Sequence, residues 1–351
     1  SGSLDPANRI DTGDLVFSWS ATLAIRQWDR GPAALNQHLF KVMPKTGVNA
    51  RFLHHLIEFH IEELAGQSHG STMRHIKRGD LADFPVLIPI EPEQARIAEV
   101  LDTLDEAIRC SESLLRKQEQ AREGLIQSLF SPGSTPSRDM RKTRLGHLPV
   151  DWDVVPLRDC VRPDTIITYG IVQAGPHIPD GVPYIRTGDM SGGELSVEGL
   201  LRTAPRIDQA YARSKVRAGE IVCAIRATVG KVLPVPLSLD GANLTQGTAR
   251  IAPAQSINPT FLLWALRSHR VQHEMSLAVK GTTFAEITLE ALREIPIPRP
   301  RDRAEQDMIA ATLDGIDQEI RSEQVQLEKL LALKSGLSSD LLTGRIRTRP
   351  Q

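Results

Sequence analysis

Several groups of residues have types and spacings that could support chemistry, and each can be tested against what the chemistry requires. Val229-Gly230-Lys231-Val232 contains the Gly-Lys core of a phosphate-cradling loop. That loop needs a glycine five residues before the core glycine and a hydroxyl after the lysine, where Ile225 and Val232 stand, so nucleotide binding of this kind is excluded. Asn258-Pro259-Thr260-Phe261 lies near the Asn-Pro-Pro-aromatic loop of adenine methyltransferases. Thr260 replaces the second proline and no glycine-rich cofactor loop accompanies it, so the segment reads as a helix start with proline just inside. His54, His55, His60 and His69 suggest a metal, but no cysteine or carboxylate joins them at zinc-ligand spacing. Neither a GxSxG elbow nor an HExxH helix occurs. The expectation is a chain with no catalytic centre, no metal and no cofactor of its own.

What remains is charge. Arg202, Arg206, Arg213, Lys215, Arg217, Arg226 and Lys231 face only Asp208 and Glu220 within the same stretch. Such a run is either an ordinary solvated face or a surface for a polyanion. The whole chain carries 42 Lys+Arg against 43 Asp+Glu, a formal net charge of -1. That balance argues against coating nucleic acid through bulk charge, and it leaves a local basic face open. An aromatic content of 4% disfavours base stacking as the binding mode.

The 351 residues exceed what one hydrophobic core usually organises, so two or more packed units are expected. Hydrophobic residues at 40% and charged residues at 24% exclude wholesale disorder. No apolar run reaches the roughly 18 residues of a spanning helix. The N-terminal residues show no basic flank followed by an apolar stretch, so no secretory signal is read there. Cys110, Cys160 and Cys223 are isolated from one another, and a reducing cytoplasm is the expected setting.

The elements that must position any site come in two copies. Arg9–Trp19 corresponds to Lys215–Ile225, Leu35–Val42 to Leu244–Ile251, and His69–Ile76 to Lys280–Ile287. The stretch ending at Ile108 matches the one ending at Ile320, and the offset drifts from 206 residues (Arg9 to Lys215) to 212 (Ile108 to Ile320). Small loop insertions explain the drift. Leu148–Ser214 has no counterpart before Arg9, so the first copy lacks roughly its first 70 residues. In each copy a β-patterned front, with short Val/Ile/Leu runs cut by Gly, Pro and Asn, is followed by a helix at 259–277 or 50–64. A long heptad helix closes each copy. Its seam is Ile97, Leu101, Leu104, Ile108 and Leu115 in the first, and Ile309, Leu313, Ile316, Ile320 and Leu327 in the second. Polar residues interrupt both seams at matching places, Ser111 with Glu323 and Arg122 with Lys334, which weakens a seam but fixes its register. The two helices are expected to pair antiparallel. One running from 304 to 342 would be about 58 Å long, the length of about 17 base pairs. Residues 131–149, rich in Pro, Gly, Ser and basic side chains, read as a linker.

Together, GDLVFSWSATL, LNQHLFKV and the EPEQ-led helix of the first copy, with LPVDWDVVPL, GEIVCAIRATVGKV and AEQDMIAATLDGIDQEI of the second, resemble the DNA-specificity (S) subunit of type I restriction-modification systems. The resemblance covers essentially the whole chain. It implies an α+β fold: a tandem repeat of α/β target-recognition domains, each followed by a long helix, the two helices forming an antiparallel coiled coil. The implied divisions are an incomplete first recognition domain (1–92), a spacer helix (93–130), a linker (131–147), a full second domain (148–302), a second spacer helix (303–342) and a tail (343–351). It also implies a non-catalytic subunit that reads a bipartite double-stranded DNA site, with helix length setting the gap. Its partners would be modification (methyltransferase) subunits and restriction subunits, which would hold S-adenosylmethionine, ATP and Mg; a second copy of the chain is left open, and a membrane is not implied. The alternatives are a coiled-coil scaffold that reads nothing, or a decayed or half specificity protein acting only as a dimer.

Base readout needs forked or amide side chains on loops. The candidates are Tyr169, Gln173, Arg186, Thr187, Arg226, Thr228, Lys231, Asn243, Gln246 and Thr283, and in the shorter copy Ser20, Asn36, Gln37, His38, Thr72 and Arg74. For Asn243 and Asn36 the competing role is turn chemistry, since asparagine tolerates left-handed backbone. For Trp19 and Trp152 it is a place in the core.

Overall fold

A computed structural model describes residues 8–20, 22–66, 76, 83–130, 139–281 and 285–348. The chain divides into two compact units, Ser1–Arg116 with Arg321–Gln351, and Lys117–Ile320. Each long helix is therefore shared between units and is not a module of its own. Among the described residues no helix is long and apolar enough to cross a membrane.

In the first unit β1 (Arg9–Ile10) pairs with β4 (Ala33–Ala34), and β2 (Leu15–Ser18) lies between β3 (Ala24–Gln27) and β5 (Leu39–Val42) in an antiparallel sheet. Phe17 and Ile25 from this sheet meet Leu64 of α1 (Ala50–Gly66). The other face of α1, Phe52 and Leu56, packs on Ile97 and Leu101 of α2 (Glu91–Phe130) and on Leu341 and Leu342 near the chain's end.

The second unit opens with a hairpin, β6 (Met140–Thr143) and β7 (Gly146–Pro149), whose Leu145 and Leu148 enter the core. The linker read from composition over 131–149 thus ends earlier, since the hairpin begins at Met140; its residues 131–138 lie outside the described residues. β8 (Trp152–Pro156) follows, then β9 (Thr168–Tyr169), β10 (Val182–Ile185), β11 (Arg202–Thr203), α3 (Pro205–Ala210), β12 (Ile221–Ala224), β13 (Val232–Pro234), β14 (Asn243–Leu244) and β15 (Thr248–Ile251). The helices α4 (Pro259–Arg267), α5 (His269–Ala278) and α6 (Leu289–Arg293) lead to β16 (Pro296–Pro300) and α7 (Arg303–Leu342). The main sheet runs β13-β12-β15-β9, a smaller one β11-β10-β14, and β16 pairs antiparallel with β8. Side chains alternate across a strand, and here they serve two cores. Ile221, Cys223 and Ile225 join the cluster around Trp152, Phe261 and Trp264, while Val222 and Ala224 join Ile185, Met190 and Val216. Trp152 is core, as expected, and Trp19 is half-buried with its ring stacked on Phe40 at 5.8 Å.

The helix expected over 259–277 is two helices. Ser268 is extended (ψ 144°) and its hydroxyl donates to the Ala265 carbonyl, so α4 ends there and α5 begins at a new angle. Asn258 caps α4 by accepting from the Phe261 N–H, with Pro259 just inside, as the sequence indicated.

The repeat persists at the level of single hydrogen bonds. β2 pairs with β5 as Leu15↔Val42 through Ser18↔Leu39, and β12 with β15 as Ile221↔Ile251 through Ala224↔Thr248. Gly13 and Gly219 both adopt positive φ, 97° and 81°, to start these strands. Buried Gln94 and Gln306 make the same clamp. Each amide oxygen accepts the backbone N–H of a helix-capping asparagine, Asn49 or Asn258, and each amide nitrogen donates to a carbonyl before the long helix, Pro89 or Pro300. The copies differ at the strand entering that helix. β16 is buried and paired, whereas Val86, Leu87, Ile88 and Ile90 are exposed, with no strand beside them among the described residues.

The long helices pair antiparallel within each unit. In the first, the Ser111 hydroxyl donates to Glu323 at 2.5 Å, and Lys334 Nζ lies 2.9 Å from Glu58 and 2.6 Å from Asp105. In the second, Arg122 bonds Asp317 at 2.8 Å beside Ile126, Phe130, Ile309 and Leu313. Of the seam residues, Ile97, Leu101, Ile108, Leu115, Ile309, Leu313 and Ile320 are buried, and Leu104, Ile316 and Leu327 half-buried.

Burial pushes the thiols of Cys160 and Cys223 up to about 12, while Cys110 is exposed on α2. Thiolate is the reactive form. Native protein titrated with a thiol reagent at pH 8 should therefore show one fast equivalent, the other two reacting only in denaturant; two fast equivalents would contradict this packing.

Candidate nucleic-acid interface

In the second unit four loops meet at one end of the main sheet. They follow β9 and β10, connect β12 to β13, and precede β15. Their alignment is fixed by backbone contacts. Ile225 N–H donates to Gly247 O, Gln246 N–H to Ile171 O, and Thr245 N–H to Ile185 O. Gly170 is obligatory here, because a Cβ would sit 1.9 Å from the Leu244 carbonyl oxygen. Thr187 Oγ1 donates to Gly247 O at 3.3 Å, and a Cβ on Gly247 would meet that hydroxyl at 2.5 Å. Ala227 holds φ 60°, a left-handed conformation unusual for a residue with a side chain, with its N–H on Ala285 O. A bridge between Arg226 and Glu286 joins a fifth segment to the cluster.

This arrangement gathers most of the side chains expected from sequence. Tyr169, Gln173, Thr228 and Gln246 are exposed on it, and Arg186, Thr187, Arg226 and Lys231 are half-buried. Arg186 donates through Nε and Nη2 to the two oxygens of Asp189, at 3.0 and 2.7 Å, and that bond holds the guanidinium charged by raising its pKa. Arg226 Nη2 lies 3.0 Å from Glu286, and Lys231 Nζ donates to Ser191 O. Asn243 does not belong. It is fully buried, its amide donating to Asp208 and its oxygen accepting from Ser214, so neither the expected contact nor an exposed turn is its role. Thr283, Thr72 and Arg74 lie outside the described residues.

The cationic run does not form one face. Lys215 and Arg217 precede β12, whereas Arg226 and Lys231 follow it at the other end, about 13 Å away at strand rise. Lys215 is paired with buried Asp208, and Arg217 faces Asp240. Asp189 and Glu286 were not anticipated from sequence. Asp189 had a local signal, standing three residues after Arg186, and Glu286 had none.

The first unit rebuilds the same end with other side chains. Trp19 N–H donates to His38 O as Ile225 does to Gly247, and Ile76 N–H donates to Trp19 O as Ile287 does to Ile225. Half-buried Ser20 pairs with the His38 ring at 2.9 Å, Gln37 reaches the other ring nitrogen at 3.3 Å, and the Asn36 amide oxygen accepts the His38 N–H. Asn36, Gln37 and His38 are exposed.

A separate group in this unit, His55, Glu58 and Asp105, places ligand-type atoms within 4.8 Å of one another. The positive charge a cation would supply there is already present as the Lys334 ammonium. Burial pushes the Glu58 carboxyl up, and the bond and charge of Lys334, together with the neighbouring His54 and His55, more than offset it. This is a helix-register lock in which His55 also bonds Asp102 at 2.7 Å.

The model of the family described as the type I restriction modification DNA specificity domain matches residues 4–119 and 149–332. The type I restriction enzyme EcoBI specificity subunit of Escherichia coli is 26% identical over 360 residues, 99% of this chain and 76% of that protein. The MjaVIII specificity subunit of Methanocaldococcus jannaschii is 23% identical over 352 residues, 97% of this chain and 80% of that protein. The crystal structure of the type I restriction-modification S subunit from M. genitalium shares the fold, with TM-score 0.64 and 15% identity over 95% of this chain and 83% of that one. A chain from a study of type I R-M complex assembly and conformational transition matches with TM-score 0.57 and 19% identity, covering 96% of this chain and 83% of that one.

Proposed function

The chain belongs to the type I restriction-modification DNA specificity family, and from that premise we propose that its two loop clusters each read one half of a bipartite double-stranded DNA site. The observation that carries this reading is a constant scaffold bearing divergent side chains. The bonds Trp19–His38 and Ile225–Gly247 place equivalent loops, with a glutamine, Gln37 or Gln246, at the same place in each, yet Ser20 stands where the other copy has Arg226, Asn36 where it has Thr245 and His38 where it has Gly247. A protein that reads two different half-sites needs just this combination, since phosphate contacts position and side chains at base edges specify.

In this reading the exposed amides and hydroxyls, together with Tyr169, Gln173 and Arg186, touch bases or their flanking phosphates, and the length of the paired helices sets the gap between half-sites. The subunit is non-catalytic and acts in the cytoplasm. Methylation and cleavage come from modification and restriction subunits, which bring S-adenosylmethionine, ATP and Mg. The net charge of -1 fits a subunit whose affinity for DNA is shared with those partners.

Selection from random duplexes, with the partner methyltransferase present, tests the assignment. A bipartite motif with a fixed gap is the expected result. Enrichment of no motif at all would show a scaffold that reads nothing.

A further inference from the structure

We propose that Arg186 reads a guanine in the half-site bound by the second unit. This rests on the DNA-reading role assigned above and goes beyond it by naming a base and the group that recognises it.

Arg186 leaves the end of β10 inside the loop cluster, next to Thr187, which is tied to Gly247. Its backbone N–H, Nε and Nη2 all donate to the Asp189 carboxylate, at 2.8, 3.0 and 2.7 Å, so one edge of the planar fork is fixed. A guanidinium has five N–H donors, and two are used by the carboxylate. The remaining edge, formed by Nη1 and the second hydrogen of Nη2, carries parallel donors, and the side chain is 43% exposed. Parallel donors match the O6 and N7 acceptors of guanine; adenine puts a donor beside its N7, and cytosine offers a donor.

A phosphate also presents two acceptors, and the carboxylate decides between them. Asp189 cancels much of the attraction that Arg186 would have for an anion, while it leaves the directional donors in place. A neutral acceptor pair therefore gains most from this arginine. Arg226 is less suited, because its Nε is buried without a partner and its strand-like bridge to Glu286 ties the backbone down.

The experiment compares wild type, Arg186→Lys and Arg186→Ala in complex with the partner methyltransferase, on random duplexes, with circular dichroism and melting curves as folding controls. Arg186→Lys keeps the charge and loses the fork. Arg186→Ala should lose preference at one G·C position of one half-site, a preference of roughly 5- to 150-fold in wild type, and Arg186→Lys should weaken it there, with the rest of the motif and the gap retained in both. Replacing that guanine by 7-deazaguanine should weaken wild type and leave Arg186→Ala unchanged. If both variants keep the full motif and only bind more weakly throughout, Arg186 contacts phosphate and the proposal is overturned while the DNA-reading role stands. If wild type itself selects no motif, that role falls and the guanine assignment with it.

Discussion

Glu220→Gln is expected to destabilise the second unit by about 3–5 kcal/mol. The Glu220 side chain is 4% exposed and accepts from both Arg250 Nε and Nη2 at 2.7 Å, from Arg162, and from the Arg217 backbone N–H at 2.9 Å. Arg250 itself is 11% exposed. The amide would keep the shape and lose the charge, and its NH2 would face guanidinium donors. Two cations would then share a site with no anion, which is costlier than removing the whole cluster. For a unit of this size the loss corresponds to a drop in melting temperature of about 6–20 °C. The first unit supplies the control. Asp14 and Lys41 occupy the positions of Glu220 and Arg250, 2.6 Å apart, but with 26% and 27% exposure. Asp14→Asn should therefore cost under about 1 kcal/mol. The bond from Lys41 holds the Asp14 carboxyl below its usual value, so that contribution is present above the ordinary carboxylate range and is lost as pH falls through the lowered one. Denaturant titrations of both variants check the pair, and equal losses would show that burial is not what separates them.

The comparison of these two pairs also shows what the sequence disclosed. The repeat was legible because register, capping and clamp all depend on residues that recur at fixed offsets: Gly13 with Gly219, Asn49 with Asn258, Gln94 with Gln306. The heptad seam was legible for the same reason. The seam's polar interruptions marked where register is fixed, but their partners had to be found in the fold: Ser111 meets its own repeat equivalent Glu323, while Arg122 meets Asp317 and Lys334 meets Asp105 and Glu58. Roles set by contacts across the fold were hidden. Asn243 looks like a loop amide until β14 carries it under Ser214 and Asp208. The cationic run looks continuous until β12 separates its ends. Arg226 meets Glu286 sixty residues later, at a distance no local pattern encodes. The break at Ser268 was missed because FLLWALRSH keeps helical periodicity through a residue whose backbone is extended.

Removing one heptad from each long helix, Arg109–Leu115 together with Ser322–Glu328, is expected to shorten the gap of the recognised DNA motif by about 3 base pairs, because seven residues rise about 10 Å and a base pair about 3.4 Å. The two segments lie opposite each other in the antiparallel pair, as the Ser111–Glu323 bond shows. Deleting both leaves no polar group of that lock behind, and a step of seven keeps the seam on either side of each junction in phase, Ile97 and Leu101 with Ile126 in one helix and Ile309 and Leu313 with Leu341 in the other. The base identities in each half-site should not change, since neither loop cluster is touched. Deleting only one segment would instead put either the Lys334 lock with Glu58 and Asp105 or the Arg122–Asp317 pair out of register, leaving partly buried acids without their cation. The double deletion should therefore fold better than either single one, although it removes more residues. Motif selection with the partner methyltransferase reads the gap directly. A shortened gap with unchanged half-sites would establish helix length as the ruler, and an unchanged gap in a folded double deletion would assign spacing to the partner subunits instead.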